Sequence, residues 1–209
     1  MISSSHQKSQ NNSDISICAL DAIHVRKISK IHQEELDMGA LDLFGLKFLS
    51  NMYNELLKDN HGLIAKSGDE IIGFITAIKK DISFIRCLSI SSIITFFFNI
   101  FIKFGKFRSF LVIFNKIYIK KSWNLKFANS SKSIELFSIA VKKKYQGKGV
   151  GKKLIEALEQ KARKDGLDEI FTRTHNHELL NFYYKNKRAN LLEKIFLQNY
   201  ILYIVKWKI

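Results

Sequence analysis

Apolar positions along the chain recur at two spacings, one near two residues and one between three and four, and segments of the two kinds succeed one another. Ile15 to Leu20 alternates as a first strand, and Asp21 reads as the N-cap of a helix running to about Leu36. Leu43, Phe44, Leu46, Phe48, Leu49, Met52, Tyr53 and Leu56 recur at helical spacing and predict a second helix. Gly62 to Lys66 and Glu70 to Ile78 flank Ser67-Gly68-Asp69, which predicts a hairpin. Ile134 to Val141 is a β-type run, and Lys152 to Lys164 a strongly amphipathic helical one. Asp168 to Thr174 predicts a fifth strand, and Asn190 to Phe196 with Tyr200 to Trp207 a closing pair.

The segment 82–123 departs from this rhythm. It contains the apolar run Ile93 to Ile102, followed by Lys103, Lys106, Arg108, Lys116, Lys120 and Lys121, and no acidic residue occurs from Leu88 to Trp123. Its uncharged stretch, between Arg86 and Lys103, is shorter than the ~20 residues needed to span a bilayer. Two helices, apolar on one face and basic on the other, fit this insertion. They would lie on a membrane surface, fold over a substrate cleft, extend the core or form a homodimer contact.

The 209 residues suit one domain, 14–209, carrying that insertion. Residues 1–13 are mostly Ser, Asn and Gln, have no apolar segment, and read as a disordered polar tail and not as a signal or transit peptide. Cys18 and Cys87 lie in apolar runs without metal-ligand spacing, which suits reduced thiols and a cytoplasmic protein, peripheral to the membrane if the insertion binds one. The net charge of +15 invites a nucleic-acid reading, but no reading motif accompanies it. Abundant Lys, Ile, Asn and Phe, with Pro absent, also fits compositional bias alone.

Gln146-Gly147-Lys148-Gly149-Val150-Gly151 lies between the fourth strand and the amphipathic helix. Three glycines allow a tight turn with N–H groups facing inward, and the helix adds the positive end of its dipole. Lysines 142, 143, 144, 148, 152 and 153 surround the turn with no acid among them in sequence, so a phosphate or pyrophosphate is the favoured ligand. A nucleoside-triphosphate loop would need Gly-Lys-Ser/Thr from position 152, where the chain has Lys152-Lys153-Leu154, and a dinucleotide loop would need a third glycine at 152.

Gln146, Gly149 and Gly151 do match the Gln/Arg-x-x-Gly-x-Gly/Ala loop of the GNAT superfamily of acetyl-CoA-dependent N-acetyltransferases, which this chain resembles. Leu136 to Val141 resembles that family's fourth strand, and Asn176 with Phe182-Tyr183-Tyr184-Lys185 its Asn…Phe-Tyr-x-Lys helix. One departure follows: Asn186-Lys187-Arg188-Ala189 stands where the family commonly has Leu-Gly-Phe. The resemblance implies an α/β (α+β) fold, with a mixed, mostly antiparallel twisted sheet flanked by helices. The sheet is splayed between strands 4 and 5, and the helical insertion falls between strands 3 and 4.

It further implies acetyl-CoA as co-substrate, no metal, and acetyl transfer to a primary amine by direct attack within a ternary complex. The backbone of Ile139, Ala140 and Val141 would pair with pantetheine. Residues Gln146, Gly147, Lys148, Gly149, Val150, Gly151 and Lys152 would hold the pyrophosphate, and Asn176 would bond the pantetheine arm or order a water. Tyr183 is the candidate general acid, because a phenol stays protonated at neutral pH and can reprotonate a departing thiolate. The alternative is that Tyr183 is an ordinary packing aromatic; the catalytic role is favoured because the tyrosine falls on the family position, and Tyr184 is the fallback. Glu135 is the candidate base, against the alternative of a solvated strand residue.

His24, His32, Glu34 and Glu35 lie where similar folds shape the acceptor site, though each alone reads as a surface residue. His175 and His177 flank Asn176 without a metal-ligand partner at suitable spacing. The expected acceptor is a small molecule or amino-sugar intermediate. Alternatives are a protein N-terminal or lysine acetyltransferase, or a non-catalytic module binding membrane or nucleic acid.

Overall fold

The computed structural model describes residues 15–36, 42–59, 61–79, 87–104, 132–197 and 200–209. In chain order the elements are β1 (Ile15–Ala19), α1 (Val25–Glu35), α2 (Gly45–Leu56), β2 (Gly62–Ser67), β3 (Glu70–Ile78) and α3 (Ile90–Phe104). There follow β4 (Ser133–Val141), α4 (Val150–Lys164), β5 (Glu169–Thr174), α5 (His177–Lys187), β6 (Asn190–Leu197) and β7 (Tyr200–Lys208). The strands form one sheet in the order β1-β2-β3-β4-β5-β7-β6. Neighbours are antiparallel except β4 and β5, which are parallel. This is the mixed, mostly antiparallel sheet flanked by helices that the resemblance implies.

Each face of the sheet carries its own core. On one, Leu154, Ile155 and Leu158 of α4 and Leu180 and Tyr183 of α5 cluster with Ile134, Leu136, Ile170, Val205 and Trp207. On the other, Ile28 and Ile31 of α1 and Phe48, Leu49 and Met52 of α2 cluster with Ile64, Phe74 and Ala140. Burying each such side chain contributes about 1.5–3 kcal/mol, which is why the amphipathic stripes decide where the helices lie.

Two features of the sheet create the site. The pairing of β3 with β4 slips between Thr76 and Ala77, whose partners are Ser138 and Leu136, so Phe137 is an extra residue in β4. The slip reverses the alternation of β4. Ile134 and Leu136 lie in the α4/α5 core before the bulge, Ile139 and Val141 border it afterwards, and Ala140 belongs to the opposite core. The second feature is that β4 and β5 pair only from Ser133↔Glu169 to Leu136↔Thr172. Beyond Leu136 no pairing of β4 with β5 continues among the described residues, and the two strands part.

The insertion supplies α3, which docks on the start of α2. Phe96 stacks on Phe44 with ring centroids 4.3 Å apart, and Asn99 Nδ2 donates to the Leu43 carbonyl at 3.0 Å. Gly45 has φ 79°, and a Cβ there would come within 2.9 Å of Thr95 Cγ2, so the close contact requires glycine. The expected second helix of the insertion and the polar tail lie outside the described residues. No described helix is long and apolar enough to cross a membrane.

Two boundaries differ from expectation. The helix expected from Asp21 begins with a 3-10 turn, Ala22–His24, because Asp21 is extended and its N–H donates to His24 Nδ1 at 3.2 Å. At the atypical stretch after α5, Arg188 takes the left-handed conformation, φ 47°, that glycine usually supplies at a helix end.

Candidate functional site

The glycine turn has the geometry its composition requires. Gly147 and Gly149 adopt φ 74° and 78°, conformations that side-chain-bearing residues rarely take, and α4 starts at Val150. A Cβ on either glycine would meet no atom of the described residues within 4 Å, so the space above them is open on that side. The first amides of α4 have no partner within the helix and, with its dipole, suit an anion.

The lysines around the turn are not uncompensated, which corrects the sequence reading. Glu70 reaches across from β3 to Lys142 Nζ (2.8 Å), Lys144 Nζ (3.0 Å) and the Tyr145 hydroxyl (2.9 Å). These donors hold its carboxyl at a pKa of about 2. Glu35, at the end of α1, accepts from the backbone N–H of Lys143 at 2.9 Å and from Gln146 Nε2 at 3.2 Å. Gln146 Nε2 also donates to the Val141 carbonyl at 2.8 Å, tying the turn to the end of β4. Lys152 approaches Glu156 at 4.0 Å, which leaves Lys143, Lys148 and Lys153 without a carboxylate partner among the described residues. The two acids come from residues distant in sequence, so local charge counting missed them.

Register separates the three candidate amides of β4. Lys142 N–H donates to Ile72 O at 2.8 Å, so by antiparallel alternation Ala140 and Ser138 also hydrogen-bond to β3. Ile139 and Val141 therefore direct their backbone groups to the parted side, where β5 has left. Among Ile139, Ala140 and Val141, the ladder with β3 occupies the middle one.

Tyr183 lies in α5, fully buried, and stacks on Trp207 with centroids 5.2 Å apart. Its hydroxyl lies beside Thr172, the last residue of β5 paired with β4, whose own hydroxyl donates to Leu136 O at 3.0 Å. The Tyr183 hydroxyl is buried at the fork of the strands and makes no hydrogen bond of normal geometry among the described residues. A buried orphan donor costs about 1–3 kcal/mol unless a ligand satisfies it. Burial raises the phenol above its ordinary pKa, so it stays protonated at neutral pH. Tyr184, the fallback, is half-buried.

Asn176 is the N-cap of α5, its Oδ1 accepting from Leu179 N–H at 2.9 Å. Glu135 is 6% exposed and ion-paired to Arg173 of β5, whose Nε donates to Oε1 at 2.8 Å and whose terminal nitrogen binds the same oxygen. Oε2 has no partner among the described residues. Glu135 is therefore a buried carboxylate held by a guanidinium, and not a solvated strand residue. Arg173 was missed from sequence, although its two-residue spacing from Phe171, which pairs with Glu135, puts it on the same face.

The bulge turns Ser138 into the α1/α2 core, where a buried polar chain runs from the helices to β4. His32 Nδ1 meets the Tyr53 hydroxyl at 2.6 Å, that hydroxyl meets Ser138 Oγ at 3.1 Å, and Ser138 meets Thr76 Oγ1 at 2.8 Å. Burial lowers the His32 pKa to about 4, so the ring is neutral near pH 7. Of the other candidates, Glu34 is exposed, His24 is buried beside Asp21, and His177 packs edge-on against Tyr203. No group of three His, Cys, Asp or Glu residues suited to a metal ion occurs among the described residues.

The same arrangement of sheet and helices occurs in solved structures. yncA of Salmonella typhimurium, with its cofactor acetyl-CoA, shares 13% identity at TM-score 0.57, with 93% of each chain covered. The paia N-acetyltransferase of Thermoplasma acidophilum, in complex with coenzyme A, shares 15% at TM-score 0.57, covering 94% of this chain and 99% of its own. The ribosomal-protein-S18-alanine N-acetyltransferase of Escherichia coli shares 15% at TM-score 0.55, with 94% of each chain covered. No curated protein matches the sequence. The acetyltransferase (GNAT) family model matches residues 27–187, which takes in the glycine turn, the parted strands and the tyrosine helix, and the chain belongs to that family.

Proposed function

We propose that the protein transfers an acetyl group from acetyl-CoA to a primary amine by direct attack within a ternary complex. The observation that carries this reading is the fork between β4 and β5, with the open glycine turn near one end and the orphan Tyr183 hydroxyl at its apex. Bound there, acetyl-CoA supplies an activated thioester carbonyl. The amides of the turn and of the first turn of α4 hold the pyrophosphate, helped by Lys143, Lys148 and Lys153. Backbone groups of Ile139 and Val141 pair with the pantetheine arm, and the Ile139 N–H polarises the carbonyl. Asn176 keeps its cap and orders the arm from the opposite wall.

As the new N–C bond forms and the C–S bond breaks, Tyr183 donates its proton to the leaving sulfur and is reprotonated from solvent. Glu135 takes the acceptor's proton on Oε2, directly or through water, while Arg173 fixes the carboxylate. Isothermal titration of acetyl-CoA into the parent and into Gly149→Glu tests the reading. Binding by the parent and none by the folded variant is expected. A folded parent that binds no acetyl-CoA overturns it.

The proposed acceptor is a small molecule or amino-sugar intermediate carrying a phosphate, met by the basic, aromatic insertion. Mass spectrometry against a panel of amino-sugar nucleotides is expected to show acetylation. An inert panel beside rapid turnover of peptides would instead establish protein acetylation.

A second observation favours contact with a membrane surface by a cytoplasmic enzyme. α3 presents Ile90, Ile94, Phe97 and Phe98 outward, each 57–80% exposed, in a segment with no acidic residue. Flotation with anionic vesicles is expected for the parent and lost in Ile94→Glu/Phe98→Glu. Equal partitioning of both would remove α3 from that role.

A further inference from the structure

Resting on the reading of Tyr183 as the proton donor, we infer that Trp207 and Glu159 are positioning residues that hold its ring in register with the fork. The Tyr183 hydroxyl makes no hydrogen bond of normal geometry among the described residues, with the Thr172 hydroxyl only standing beside it, so polar contacts do not set its position. What fixes it is the ring. The phenol lies nearly flat on the Trp207 indole, 5.2 Å between centroids and 20° between planes. The indole is in turn keyed to one orientation, because its Nε1–H donates to Glu159 Oε1 at 2.8 Å.

Glu159 does more than receive the indole. Its other oxygen, Oε2, accepts from Lys187 Nζ at 3.0 Å, and the two side chains are only 9% and 10% exposed. Glu159 belongs to α4, the helix that begins at the glycine turn, Trp207 to β7, and Lys187 to the last turn of α5, the helix bearing Tyr183. One carboxylate therefore ties together the three elements that confine the phenol. A buried ion pair adds little net stability, since desolvation offsets attraction. What this pair supplies is a fixed geometry, and a displacement of about 1 Å at a reacting group can cost up to 10²-fold in rate.

The inference is tested by kinetics well below each variant's unfolding temperature. Trp207→Leu removes the stacking face and is expected to lower kcat about tenfold, with acetyl-CoA affinity unchanged. Trp207→Phe keeps a face but loses the keyed N–H, and is expected to fall about threefold. It also serves if the leucine variant does not fold. Glu159→Gln/Lys187→Gln keeps neutral partners without stranding a charge, and is expected to match Trp207→Phe. In a Tyr183→Phe background the same changes should have no further effect on kcat, which a purely structural role would not produce.

Folded Trp207 variants with parental kcat overturn the inference while a slow Tyr183→Phe leaves the proton-donor reading standing. Equal losses in both backgrounds also overturn it. A Tyr183→Phe enzyme with full kcat removes the donor role and this inference with it.

Discussion

On one face of the sheet, most of the groups proposed to meet the cofactor come from a single stretch, residues 139–152, completed by Asn176 and Tyr183. On the other, the polar chain His32–Tyr53–Ser138–Thr76 draws one residue from each of four elements and reaches β4 only through a bulge. The first arrangement follows largely from local rules: glycines that take positive φ and a helix N-terminus. The second follows from packing. Local sites survive changes elsewhere in the fold, whereas assembled sites depend on the whole.

The sharpest way to separate the two faces is Ile139→Pro. Its N–H points away from β3, so the ladder loses nothing, while the proposed donor to the thioester disappears. A folded protein that still binds acetyl-CoA, with kcat down about 10²–10³-fold, is expected. Circular dichroism with steady-state kinetics checks it, and an unchanged kcat would break the assignment.

His32 makes the second face pH-sensitive. Its folded pKa of about 4 lies below the ordinary 6.5, so between those values the unfolded chain binds more protons. The associated stability is present above pH 6.5 and is lost as pH falls toward 4, amounting to roughly 3 kcal/mol. Urea midpoints across that range should fall in the parent and flatten in His32→Gln. Glu70 on the cofactor face stays ionised throughout the same window, its carboxyl being held at about 2.

Gly45→Ala should strain the contact between α2 and α3 at Thr95, lowering stability by about 1–2 kcal/mol while acetyl-CoA affinity stays constant. Thermal unfolding and titration together would show whether the two faces are as independent as the cores suggest. The smallest effect is expected from Glu70→Gln, one of whose lysine partners, Lys144, is exposed while the other, Lys142, is half-buried. Freeing Lys142 and Lys144 should change acetyl-CoA affinity by less than about twofold and make its association rate more salt-dependent. Stopped-flow measurements at two ionic strengths check this.

Most element boundaries were legible because each is written in contiguous residues at a fixed period and the glycine turn because of its three glycines, whereas the fold class and the tyrosine helix came from the resemblance to the GNAT superfamily. The apparent excess of lysine at the turn misled, since Glu35 and Glu70 arrive from α1 and β3. Arg173 went unseen because a charged residue in a strand announces neither its face nor its partner until register is known. Ser138 and Tyr53 carry no signal at all without the bulge, which shifts the phase of β4 by one residue.

By itself the sequence determined the order of strands and helices, which stripe of each helix is apolar, and a loop that only glycines can make. Those follow from backbone geometry and hydrophobic periodicity, which act over a few residues. The tertiary structure alone decided where β4 leaves β5, which amides face the opening, and that the Tyr183 hydroxyl is buried there without a partner among the described residues. These depend on register and burial, and both are set only when segments far apart in the chain compete for the same space.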